Sequence, residues 1–444
     1  MKKFFQINNY ILVISVFIGC FIPIFFMNLG QYFYENSISI IIFITCLVVQ
    51  QKYNSFMNFM NIVSFFNIFM LFFIFLGVIV APLYEDVLVI SNKTILFLAL
   101  SYLAFTLGIV IAETNKRKVK FYHKINLSEN WKRKESKLVA RIFFLIGIFL
   151  GIYYFKQVGT IPLLVENADA FRVQAKEGKS MLYLLIVSFI YVASIVRFVS
   201  VSKFTMGLIP DICLFFISFL VILGMGYRGQ AFYLLLLIFL VYLIRRNKKL
   251  NLVVISIFSL VLLSFIAITG YYRSSGSLEI DLLGIYKVTM WRFFVNVYNL
   301  ETLILGIHSD YMIGKSYIMD FITILPGYQP SSQIYLKEYL GMVFEGGGIT
   351  YTLFGEFYLN WGFLGGILFS FGFGVMLSLL NTLLGLRKGK ITYTNVGFLI
   401  IIMYAISAMV GSGIPPALNN ILLPYSCVYI LALRFIVERR GIEK

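Results

Sequence analysis

The sequence predicts an all-α, polytopic membrane protein with about twelve transmembrane helices, and three observations carry that fold class. First, 60% of the 444 residues are hydrophobic and only 13% are charged, too little polar surface to cover a water-soluble globule. Second, apolar runs of about 20 residues, the length a helix needs to cross the hydrocarbon core, recur from end to end. A β-barrel would show shorter, alternating segments instead. Third, lysine and arginine are segregated between alternate connecting loops, as they are when retained on the cytoplasmic side during insertion.

The runs fall at 10–29, 36–50, 59–81, 94–113, 137–155, 181–199, 204–225, 230–244, 251–270, 355–384, 394–411 and 417–436. Twelve crossings put both termini on one side. With the termini cytoplasmic, that side holds 26 Lys+Arg against 6 Asp+Glu and the outer side 11 against 14, a balance of +20 and −3. The first run follows "MKKFFQINNY" and has no small-residue cleavage site near its end, so it reads as a retained helix. The densest basic stretch, Glu113 to Lys137, becomes a cytoplasmic loop. Its charge, like the rest, is spread over short loops beside apolar spans, which suits anionic membrane lipids and argues against a nucleic-acid partner. Cys20, Cys46, Cys213 and Cys427 all lie in apolar runs, so neither a disulfide framework nor a metal site is legible.

The chain, 1–444, reads as a single membrane domain with two outer loops that break the rhythm of short connections: 156–180 and 271–350. Loops of that length hold structure or function. Within the second, Leu282 to Ile307 is apolar and aromatic but carries Lys287, Arg292 and Glu301, a pattern for an amphipathic helix lying at the outer interface.

Of the eleven outer basic residues only four are arginines: Arg172, Arg228, Arg273 and Arg292. The first three sit where an outer loop meets a helix end, in "DAFRVQAKEG", "GYRGQ" and "GYYRSSGS". A guanidinium is always charged and presents a planar fork of donors that matches phosphate oxygens, so arginines from separate loops are candidates for holding a diphosphate. Gly226, Gly229 and Gly276 beside them would let backbone approach such a ligand. The same residues also suit tight turns and arginines that merely reach the interface. Arg292 reads as a charge on the interfacial helix.

Candidates for proton transfer or acceptor binding lie in the large loop and just after it. His308 in "LGIHSDYMIGKS" could accept a hydroxyl proton, with Asp310 orienting or replacing it, or it is incidental. Glu345 precedes three glycines, and Glu356 lies about one turn into the next span, where a carboxylate is costly and either functional or paired with an outer arginine. Gly362, Gly365 and Gly366 have spacings that suit close helix packing. The absence of a Walker loop or Rossmann glycine pattern points to an already activated substrate arriving from the membrane.

With these residues in view, the chain resembles the Wzy family of O-antigen and oligosaccharide repeat-unit polymerases. The likeness rests on the layout, with its medium outer loop and its larger loop after the ninth span. It also rests on "FRVQAKEG", "GYRGQAF", "YYRSSG" and "GGGITYTLFGEFYLNWGFLGG". The resemblance implies a GT-C-like membrane glycosyltransferase of the bacterial inner membrane, its site facing the periplasm. Such an enzyme would join undecaprenyl-diphosphate-linked oligosaccharide units without nucleotide sugar, cofactor or metal, alongside a separate co-polymerase that sets chain length. On that footing Arg172, Arg228 and Arg273 would hold diphosphate, and Glu345, Glu356, His308 or Asp310 would receive the acceptor proton or hold the sugar. An O-antigen ligase shares the donor but not the acceptor. A flippase should place ionisable or helix-breaking residues near the bilayer midplane, and nearly every span here is free of charge at its middle.

Overall fold

In a computed structural model, the described residues are 37–53, 61–84, 86–114, 133–165, 168–176, 178–201, 206–246, 267–268, 282–307, 310–323, 329–343, 348–384 and 392–437. Among these, all regular structure is helical. In chain order the helices are α1 (Ser37–Tyr53), α2 (Ile62–Tyr84), α3 (Asn92–Thr114), α4 (Arg133–Val158), α5 (Ala168–Lys176), α6 (Ser180–Ser200) and α7 (Ile209–Gly224). There follow α8 (Arg228–Arg246), α9 (Leu282–Gly306), α10 (Lys315–Ile322), α11 (Ser332–Tyr339), α12 (Leu353–Leu383), α13 (Tyr393–Ser412) and α14 (Ile414–Ile436).

Eight of the described helices are long and apolar enough to cross a membrane, which makes this a multi-pass membrane protein. They cover eight of the expected runs, and the shorter α1 and α8 cover two more. The expected spans 10–29 and 251–270 lie outside the described residues, except for 267–268. The bundle end joined by 159–179, 225–227 and 307–352, here called the loop face, is the one the charge pattern assigns to the outside.

Small residues let the helices approach closely. Gly108 of α3 lies against the Phe371 carbonyl of α12, and Gly374 of α12 lies against the Phe105 carbonyl of α3. A Cβ at either glycine would occupy the other helix's backbone, so this reciprocal contact fixes the α3–α12 crossing in the manner of small-residue interfaces in membranes. Gly147 and Gly151 of α4 similarly receive Ile190 of α6 and Val221 of α7.

Many buried polar groups are paired within the protein, as a hydrocarbon setting favours. Gln50 donates to Thr106 Oγ1 at 2.6 Å and accepts from Asn67, whose Oδ1 accepts from the Tyr102 hydroxyl at 3.0 Å. Away from the loop face, the fully buried Asp211 of α7 takes Arg141 Nε of α4 at 2.5 Å and Arg197 Nη2 of α6 at 2.6 Å. One carboxylate at a helix N-terminus thereby joins three helices.

The helix expected at the outer interface is present as α9, but its apolar stripe lies on protein. Phe294, Val297, Leu300 and Ile304 are buried, and Gly77 of α2 sits against the Phe293 carbonyl. Asn296 Nδ2 donates to the Phe73 carbonyl at 3.3 Å, and the Tyr84 hydroxyl donates to the Lys287 carbonyl at 2.6 Å. The buried Glu301 accepts from Ser91 Oγ at 3.0 Å. The amphipathic pattern was legible; the missing Cβ at Gly77, which opens a groove for the helix, decided what it packs on.

Replacing Asp211 with Asn should lower stability by about 3 kcal/mol, because two guanidiniums lose their shared counter-charge in a buried setting. Thermal unfolding in detergent reads this out; a midpoint equal to the parent's would remove the triad from the list of structural supports.

Candidate functional site

The loop-face site begins with two short turns. After α4 the chain bends at Gly159 and makes one 3-10 turn, Pro162–Leu164, before α5. Phe171 and Ala175 of α5 pack into the core, while Arg172 and Lys176, four residues apart, share another side of the helix. Between α7 and α8 the turn is Met225-Gly226-Tyr227. Gly226 has φ +82°, a left-handed conformation that favours glycine, and a Cβ there would come 3.3 Å from the Arg172 Cβ. The glycine in "GYRGQ" is therefore what lets the α8 turn lie on α5.

That contact brings two predicted arginines together. The Arg172 guanidinium lies over the Tyr227 ring, 5.3 Å from its centroid, and the Tyr227 hydroxyl makes a long hydrogen bond, 3.4 Å, to the Arg172 carbonyl. Tyr227 packs 4.6 Å from Tyr183, whose ring carries the Lys176 ammonium at 4.9 Å. Arg228 is the first residue of α8, and its Nη1 is buried without a hydrogen-bond partner among the described residues. The next residue but one, Gln230, is held twice: Tyr191 donates to its carbonyl and Tyr404 to its side-chain oxygen. Beside it, Gly229 faces open space.

Like charge accumulates here. Arg228 is pushed down to about 10 by burial and by Arg292 and Arg172, and so remains cationic at neutral pH. Burial and Arg172 lower both Arg292 and Lys176. Arg292 itself is exposed. A basic group whose folded pKa lies below its ordinary value destabilises the fold while it stays protonated. A ligand with several negative charges would reverse that penalty, and the head of α8, with its helix dipole, suits such an anion.

The predicted carboxylates lie in a second cluster. Glu356 is fully buried in the first turn of α12. Its Oε2 accepts from the Ile414 N–H at 2.6 Å, capping the start of α14, while Oε1 has no hydrogen-bond partner among the described residues. The expected alternative, a pairing of Glu356 with an outer arginine, is thus replaced by a helix cap. Gly413, φ +87°, makes the cap possible, since a Cβ there would sit 2.9 Å from Glu356 Oε2. Asp320 of α10, unremarked in the sequence, is buried and accepts from Ser332 N and Oγ, each at 2.7 Å, and from the Tyr351 hydroxyl at 2.9 Å. Asp310 is exposed and accepts from the Tyr339 hydroxyl at 3.3 Å. Arg273, Gly276, His308 and Glu345 lie outside the described residues.

Of the three glycines expected to pack helices, Gly366 does so, lying against the Phe97 ring, whereas Gly365 meets Trp361 of its own helix. Gly362 instead breaks α12, with φ +68° and ψ −166°. The break frees the carbonyls of Leu359 and Asn360, which accept from Met312 N at 2.9 Å and Ile313 N at 3.1 Å. Asn360 Oδ1 takes Gly314 N at 3.0 Å, and the Tyr311 ring covers Gly362. The "LNWG" ending is a socket for the large loop.

Sequence reasoning missed the clustering of Arg292 with the other arginines, Lys176 and Asp320. Only Lys176 carried a usable signal, its four-residue spacing from Arg172.

Compared with known proteins, residues 56–415, well over half of the chain, match a family model described as "Putative O-antigen polymerase". No curated protein and no solved structure matches the chain.

Gly362→Ala should destabilise the protein by about 1–3 kcal/mol, since it forces a side chain into a left-handed conformation against Tyr311. Glu356→Gln keeps an acceptor for the Ile414 N–H and should unfold close to the parent, whereas Glu356→Leu should unfold well below it. Equal midpoints for the two Glu356 variants would contradict the capping role.

Proposed function

Because the chain belongs to the O-antigen polymerase family, we propose that it joins oligosaccharide repeat units carried on undecaprenyl diphosphate, at a loop face turned to the outside of the bacterial inner membrane. In this reaction a hydroxyl oxygen of one lipid-linked unit attacks the anomeric carbon of the growing chain. The bond from that carbon to the diphosphate breaks, a new glycosidic bond forms, the hydroxyl proton passes to a base, and undecaprenyl diphosphate leaves with the bonding electrons.

The observation that supports this reading is the convergence of Arg172 and Arg228 at the head of α8, beside the open space at Gly229. Charge that develops on the departing diphosphate needs donors already in place, and arginine forks held on packed turns supply them without reorganisation. Tyr191 and Tyr404, which grip Gln230, hold the turn that bears Arg228. Arg273 is proposed as a third diphosphate ligand. The acceptor proton is assigned to Glu356, whose Oε1 the cap leaves unpartnered among the described residues, or to the loop groups Asp310, His308 or Glu345. A polymerase is preferred over a ligase because the family match is to polymerases.

The test is exchange of each arginine for lysine, which keeps charge and removes the fork. Loss of one well-placed donor costs about a hundredfold in turnover, so Arg172→Lys, Arg228→Lys and Arg273→Lys should each collapse the surface polysaccharide ladder toward single units. Ladders of parental length from all three would end the diphosphate reading. Deleting the gene separates the rival: a missing polymerase leaves one unit on the surface lipid, a missing ligase none.

A further inference from the structure

Read alone, Arg292 looks like a charge that reaches from an amphipathic helix to water. It is exposed, yet its position beside two other arginines gives it a second role. Phe69 of α2 stacks on Tyr233 of α8 at 6.3 Å, and one turn further along α2 the Phe73 carbonyl accepts from Asn296 of α9. Helix α2 is thus a common wall for α8 and α9. Arg228 lies five residues before Tyr233, and Arg292 four before Asn296 on the side of Tyr84, so the two arginines lie within about one helical turn of each other along that wall. Arg172 arrives from α5, across the Gly226 turn.

A helix-borne arginine seeking solvent turns away from other cations. Arg292 instead adds repulsion to Arg228 and receives it from Arg172. Charge crowding of this kind is a cost to the unliganded fold that an anion with several negative oxygens removes.

We propose that Arg292 is a further binding residue of the same anion site, so that one diphosphate group bridges α5 and α8 to α9. This rests on the diphosphate reading above and extends it to the large loop: α9 carries the loop's contribution, and the ligand ties that loop to the 156–180 loop. The chemistry needed is that of a diphosphate, with oxygens enough to engage guanidiniums on more than one side.

The experiment is thermal unfolding of the full chain in detergent, with and without undecaprenyl diphosphate, for the parent, Arg292→Gln, Arg292→Lys and Arg172→Lys. Without ligand, Arg292→Gln should unfold at a higher temperature than the parent because repulsion is relieved, and Arg292→Lys, which keeps the charge, should not. With ligand, the parent should gain stability, while Arg292→Gln should bind about tenfold more weakly, the loss expected for one charge-assisted contact. A ligand-induced shift in Arg292→Gln equal to the parent's, with Arg172→Lys impaired, would overturn the role of Arg292 and leave the diphosphate reading standing. No shift in the parent would end both. A lower midpoint for unliganded Arg292→Gln would show the arginine to be a structural support and would also overturn the proposal.

Discussion

Below its loop face this chain must satisfy every polar group from within, because hydrocarbon offers no hydrogen bonds. The rest of the architecture follows from that requirement. The Gln50–Asn67–Tyr102–Thr106 network ties α1, α2 and α3 together, and Asp211 ties α4, α6 and α7. Even the break at Gly362 obeys the rule: its freed carbonyls are taken up by backbone N–H groups of the large loop. Helix packing in such a setting gains little from hydrophobicity, so close approach at Gly108 and Gly374 carries much of it.

The cationic group at the loop face departs from this rule. Asp211 has opposite charges beside it; here Arg228 and Arg292 are pressed by like charge, and an Arg228 nitrogen is buried without an acceptor among the described residues. Proteins retain such unfavourable groupings at binding and catalytic sites, where the stability given up is recovered when ligand arrives. The surrounding tyrosines make the grouping tolerable. Their ring faces attract Arg172 and Lys176, and the Tyr191 and Tyr404 hydroxyls hold the turn rigid.

The second cluster explains how a long loop is kept in register with that site. Glu356 caps α14, Asp320 gathers Ser332 and Tyr351, and Asn360 receives Gly314, so α10, α11, α12 and α14 meet in one buried polar joint. The α9 helix belongs to the same unit through the Tyr358 hydroxyl, which donates to the Ile307 carbonyl at 3.2 Å. The Glu356 carboxylate caps α14 through Oε2 and leaves Oε1 without a partner among the described residues.

The sequence by itself determined the class, and the order and nearly the limits of the long described helices, because period and run length of apolar residues are local properties that lipid imposes on every span; the short helices α5, α10 and α11 were not legible in it. It also marked Arg172 and Arg228, since charge placed against the insertion bias is visible without coordinates. Tertiary structure alone decided what those marks mean together. That α5 lies on the Gly226 turn, that Arg292 comes near enough to two other arginines to feel their charge, that Glu356 meets Ile414 and that Gly362 opens a socket all depend on residues tens to hundreds of positions apart. Helical period fixes which side of a helix a residue occupies, but the partner across from it is set by how the whole bundle packs.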